Sequence, residues 1–252
     1  MKRLLRYILL LIACIFCGWT QAVLPQNKVL RNDIRTLRTE QAGALTAMPV
    51  LTLHSQDRVV VSFDQMSHEG HRFFYRVQHC NFLWQPSDGL FPNEFVESNQ
   101  EDNWINKGVE SQNTTTLYTH YQFTFPNAEV HPLISGNYLL TIYDDAAASP
   151  EAVAEVRIRM VEPLVNISGR VLTNTDIDWN AAHQQIEMEV KADGLTGDLR
   201  AGLHTIVVQN GREDNAAINV PPTAQMGNAL IWRHAPGLIF EAGNEYRRFE
   251  ML

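Results

Sequence analysis

The sequence predicts an all-β protein: an immunoglobulin-like β-sandwich followed by a second, incomplete β-rich domain. Three observations carry that prediction. Short runs rich in Val, Ile, Thr, Tyr and Phe recur along the chain with partial two-residue alternation. Turn residues fall between them at "HEG", "QPSDG", "FPN" and "ISGN". Amphipathic helical spacing is scarce, and regular strands with few helices point to a sandwich.

The first 22 residues read as an export signal. Lys2, Arg3 and Arg6 form a basic start, "ILLLIACIFCGW" (8–19) is the apolar core, and "TQA" places the cut after Ala22. The apolar run is too short for a spanning helix, which needs roughly 20 residues. "LIAC" (11–14) loosely resembles a lipobox, which leaves lipidation at Cys14 as an alternative. Removing this segment takes the net charge from −8 to −11 and the cysteines from three to one, Cys80. A net-acidic chain argues against phosphate-backbone binding, and a single cysteine excludes an internal disulfide.

Residues 23–162 form the expected first domain. Its strands are "MPVLTL" (48–53), "RVVVSFD" (58–64), "RFFYRVQHC" (72–80), "LYTHYQFTF" (117–125), "GNYLLTIYD" (136–144) and "AVAEVRIRMVE" (152–162). "DIRTLRTE" (33–40) fits a weak helix and a leading strand equally. After "VEP" the pattern restarts, so residues 163–252 form the expected second domain. Its strands are "VNISGRVL" (165–172), "QIEMEVKAD" (185–193), "HTIVVQNG" (204–211), "ALIWRH" (229–234) and "LIFEAGNEYRRFE" (238–250). It ends at "FEML" with no turn or capping segment, which is why it is expected to be incomplete.

Chemistry-bearing residue types are present but poorly arranged. His79 and Cys80 are adjacent at the end of a strand, so they point to opposite faces and cannot chelate one metal together. Zinc needs further ligands, and the mature chain has no second cysteine. "HEGH" (68–71) is not a zinc helix motif, and Gly70 favours a turn. "YDD" (143–145) and "NTDID" (174–178) lack calcium-loop spacing and read as solvated turn residues. No phosphate loop and no nucleophile elbow occurs. The expectation is a protein without catalytic residues, metal or cofactor. Trp84 and Trp104 sit in the long connection between strands, where an aromatic either closes the sandwich end or meets a ligand.

The order of the segments carries more than any one of them. "YRVQHCNFLWQPSDGLFPNEFVES", "TTTLYTHYQFTFPN", "SGNYLLTIYDD", "IVVQNGREDNAAIN" and "IFEAGNEYRRFE" together resemble the plug protein family of the Bacteroidota type IX secretion system, in its N-terminal portion. His79, Cys80, Trp84, Pro86 and Ser87 match the family's first motif. Tyr118, His120, Tyr121, Pro126 and Asn127 match the second, and Gly136, Asn137 and Tyr138 the third. The resemblance implies a non-enzymatic protein at the periplasmic face of the outer membrane. Its partner would be the translocon barrel, sealed in its resting state, with no nucleic acid and no membrane span of its own. Loop residues 84–112 are the expected docking surface, with Trp84, Phe91, Phe95 and Trp104 as anchors. The competing reading, from another functional class, is an exported carbohydrate-binding or glycan-processing sandwich.

Overall fold

The computed structural model describes residues 26–98, 101–145, 149–179, 182–210 and 212–242. The export segment expected at 1–22, with its alternative at Cys14, lies outside the described residues, as does all of "GNEYRRFEML" (243–252). The chain divides into two compact units, with the break between Leu164 and Val165.

Among the described residues the first unit holds thirteen strands in chain order: β1 (Lys28–Val29), β2 (Ile34–Gln41), β3 (Ala44–Leu45), β4 (Val50–Thr52), β5 (Val59–Gln65), β6 (Phe73–Cys80), β7 (Val96–Ser98), β8 (Asn103–Trp104), β9 (Val109–Glu110), β10 (Thr119–Phe125), β11 (Val130–Pro132), β12 (Gly136–Asp144) and β13 (Glu151–Val161). One sheet runs β3-β2-β5-β10-β9 and the other β1-β13-β12-β6-β8, with β4 parallel to β13. Strands β2, β5 and β10 thus take the A, B and E places of an immunoglobulin-type sandwich. Strands β8, β6, β12 and β13 take C′, C, F and G. The segment 33–40, ambiguous by periodicity, is a strand because it pairs along β5.

Alternation places the core. Val59, Val61 and Phe63 of β5 and Tyr138, Leu140 and Ile142 of β12 recur every second residue and are fully buried or nearly so. They face Phe73, Tyr75, Tyr121, Phe125, Val156 and Ile158 in one continuous cluster. Phe63, Phe73 and Tyr121 pack ring on ring at 4.8–5.4 Å. One end of the sandwich is closed by charge: buried Asp144 lies 2.8 Å from the Arg31 guanidinium and 2.7 Å from His71 Nδ1. The solvated-turn expectation for "YDD" therefore fails at Asp144, since Arg31, distant in sequence, compensates its burial.

The second unit adds β14 (Asn166–Leu172), β15 (His183–Lys191), β16 (Ile206–Gln209), β17 (Arg212–Ile218), β18 (Ala224–Met226), β19 (Ala229–Trp232) and β20 (Ile239–Glu241). One sheet runs β14-β15-β19-β18 with β20 also on β15, and β16–β17 is a separate hairpin. Val190, Leu230, Trp232, Ala235 and Leu238 form its core. Trp232 Nε1 donates to Val220 O at 2.7 Å, so its one polar atom is satisfied.

Candidate partner-binding surface

The long connection from Asn81 to Tyr118 begins at a clasp built from the motif residues. Strand β6 ends on His79 and Cys80, and Cys80 bridges back to Pro86. Asn81 organises the turn: its side-chain oxygen accepts from the Leu83 and Gln85 amides, and its carbonyl accepts from Trp84 N and Asn137 Nδ2. Trp84 sits at φ +63°, a left-handed conformation uncommon for a bulky residue. That turn folds the indole inward, where it is 7% exposed, with the Arg157 guanidinium 5.8 Å from its ring.

His79 is the centre of the clasp. Its Nε2 donates to Ser135 O at 3.2 Å, and its Nδ1 accepts from Ser87 Oγ at 2.8 Å. The carbonyl can only accept, which fixes the tautomer with the proton on Nε2. Gly136 follows Ser135 at φ +148°, and a Cβ there would lie 2.1 Å from His79 Nε2. The imidazole edge also meets Tyr138 at 5.3 Å and the ring of Phe95 at 5.8 Å. The Tyr138 hydroxyl lies 2.7 Å from Ile134 O and 2.8 Å from Phe95 O and shares its proton between them. A tyrosine at the start of strand F bonding back to the E–F corner is the tyrosine corner of immunoglobulin-type sandwiches.

The second motif is equally internal. The Asn127 side chain makes four hydrogen bonds. Its oxygen accepts from the Glu129 and Val130 amides, and its amide donates to Thr124 O and Tyr75 Oη. Pro126 precedes it through a cis bond. Tyr121 is buried, and His120 pairs across the sheet with Asp64 at 2.7 Å. Tyr118 is half-buried, with its amide donating to Ser111 Oγ.

The four expected anchors separate into two classes. Trp84 and Phe95 are 7% and 6% exposed, so their side chains hold the connection to the sandwich rather than facing outward. Phe91 is 71% exposed, with its backbone N–H donating to Glu94 Oε2 at 2.7 Å. Trp104 is 43% exposed on β8, tilted onto Phe74 at 5.2 Å, with the Arg72 guanidinium 4.1 Å above its ring. Sequence gave no sign of this ladder, because Arg72, Phe74 and Trp104 meet only through the β6–β8 pairing.

Two clefts flank the connection. One, about 940 Å³, is lined by Arg76, Gln78, Pro92, Glu97, Asn103 and Tyr143 among others. The second, about 910 Å³, lies between Trp104, Lys107, Tyr118, Gln122, Phe123 and Asn127. The first cleft does hold a serine on a histidine, Ser87 Oγ donating to His79 Nδ1 at 2.8 Å, but the other ring nitrogen meets the backbone carbonyl of Ser135 and not a carboxylate. Burial pushes the Cys80 thiol up, which keeps it protonated and a poor nucleophile. His68 and His71 of "HEGH" go to different partners, Ser111 and Asp144. Among the described residues no group of three or more His, Cys, Asp or Glu is placed to hold a metal, and no helix is long and apolar enough to cross a membrane.

Comparison with known proteins gives one family. The family described as "Type 9 secretion system plug protein 1st domain" matches residues 34–162. A crystal structure of a hypothetical protein from Parabacteroides merdae superposes with a TM-score of 0.81 at 32% identity, over 90% of this chain and 56% of that one. The chain therefore spans little more than half the length of that relative. No curated protein matches.

Proposed function

Because the chain belongs to the type 9 secretion system plug protein family, we propose that it acts without catalysis, as a stopper on the periplasmic side of the outer-membrane translocon barrel. The observation that supports this best is the division of labour on the long connection. Its motif residues are spent on a rigid clasp, while Phe91 and Trp104 stand out from it. A stopper needs a stiff body and a few exposed aromatic anchors, since such anchors dominate interface energies. For the glycan-binding alternative, Arg72 and Phe74 already pack on the Trp104 ring, which leaves Phe91 as the exposed ring of the connection's four expected anchors.

The test is retrieval of the barrel. Tagged protein is passed over detergent-solubilised outer membranes of a bacterium carrying the system, and bound proteins are identified by mass spectrometry. The wild type should retrieve the translocon barrel, and a Phe91→Ala/Trp104→Ala double variant should retrieve several-fold less at an unchanged melting temperature. Absence of the barrel from the wild-type eluate refutes the reading.

A further inference from the structure

The second cleft opens onto a strand edge. Just before β10 the carbonyl of Tyr118 accepts from Ser111 N, and β9 pairs with Thr119 and His120 of β10. Backbone groups on one side of a strand repeat every second residue, so His120, Gln122 and Thr124 direct their N–H and C=O toward that same edge. The chain leaves the edge at Gly108, where a Cβ would lie 2.5 Å from Thr119 and 2.8 Å from the Tyr121 ring. Beyond it, Thr124 O accepts from Asn127 Nδ2, but the Gln122 N–H and C=O and the Thr124 N–H meet no partner among the described residues.

The floor of the same cleft is aromatic. Phe123 lies on the core face between buried Tyr121 and Phe125, yet it remains half-buried because the sandwich is open beside it. Its ring stacks on Tyr75 at 4.5 Å, and Trp104 stands on the far wall.

We infer that this cleft receives an extended peptide segment of the partner protein, added as a strand to the free edge of β10 at Gln122 and Thr124. The inference rests on the plug reading and names the surface that reading leaves open. The occupant follows from complementarity. A donor–acceptor–donor row at strand spacing matches another extended backbone, which supplies groups of opposite sense at the same repeat. Side chains of that strand alternate, one set falling on Phe123 and Tyr75 and the other outward. Continuity supports it too, because Trp104 belongs both to this wall and to the proposed docking loop.

Two measurements test it. In the free protein, the Gln122 and Thr124 amides should exchange with deuterium at least about 100-fold faster than those of Tyr121 and Phe123, which pair with β5. Slow exchange at Gln122 and Thr124 overturns the inference, since the edge is then already filled. The second measurement compares Gln122→Pro, which removes the edge N–H at a position where proline is tolerated in an edge strand, with Gln122→Ala, which keeps it. In the barrel-retrieval assay the proline variant should recover about three- to tenfold less than the alanine variant, as one lost hydrogen bond implies. Equal recovery by both, with the wild type retrieving the barrel, overturns the inference and leaves the plug reading standing. Failure of the wild type to retrieve the barrel overturns both. Should Gln122→Pro not fold, the exchange experiment on the wild type decides alone.

Discussion

Replacing Gly136 by alanine tests whether the His79 clasp holds the first unit together. The new Cβ would stand 2.1 Å from His79 Nε2 and 2.8 Å from Cε1, so the imidazole must move. Moving it breaks the bonds to Ser135 O and Ser87 Oγ, at about 1 kcal/mol each. A non-glycine residue at φ +148° adds strain of about 1–3 kcal/mol. The expected loss is about 3–5 kcal/mol, a large fraction of an ordinary domain's stability. Urea unfolding followed by tryptophan fluorescence measures it, Trp84 reporting on the clasp itself. The decisive form is a double-mutant cycle with His79→Ala. Once the imidazole is gone, Gly136→Ala should cost only the backbone strain, about 1–3 kcal/mol. If the two substitutions add, the glycine is required for its conformation alone and the argument from contact is refuted.

Two further outcomes follow from the same structure. Trp84→Ala should destabilise the first unit by about 3–5 kcal/mol in the same urea experiment, as removal of a buried aromatic does, whereas Trp104→Ala should leave the midpoint nearly unchanged. Stability should also fall in acid through Asp33. Burial by itself raises this carboxyl, but Arg31, donating at 2.6 and 2.8 Å, outweighs it and holds it below the usual carboxylate range. A depressed folded pKa gives stabilisation that is complete above the unfolded value of about 3.9 and is lost as pH falls through the folded one. The melting temperatures of wild type and Asp33→Asn should therefore converge between pH 5 and pH 2, which scanning calorimetry reads directly; a constant gap removes Asp33 from the account.

Most of the fold was legible because sandwich strands are locally patterned. The alternation in "RVVVSFD" and "NYLLTIYD" puts every second side chain in the core, and the strands lie where those patterns do. What escaped has no local pattern. Strand β17, "REDNAAI", is polar and becomes a strand through pairing with β16. Asp144 is buried because Arg31 and His71 reach it. Trp84 and Phe95 are buried where Trp84 adopts a left-handed backbone and the Tyr138 hydroxyl holds the Phe95 carbonyl, and neither feature is visible in residue type.

The same distinction bears on where the function resides. The side chains of His79, Ser87, Asn127 and Tyr138 bond to other groups inside the first unit, and a side chain whose hydrogen bonds are already used at home has little left to offer a partner. The matched motif residues therefore build a scaffold, and under the proposed plug role docking would fall to what that scaffold leaves free, among it Phe91, the outward part of Trp104 and the unpaired edge at Gln122. None is among the matched motif residues, although Phe91 and Gln122 lie within the segments that carry the resemblance, and all three are held by motif-built structure. Phe91 follows the turn that Asn81 starts, Trp104 rides on β6, and the edge of β10 ends at the Asn127 turn. A plug meeting different barrels would be expected to keep the first set and vary the second, since rigidity is needed by all of them and surface fit by each alone.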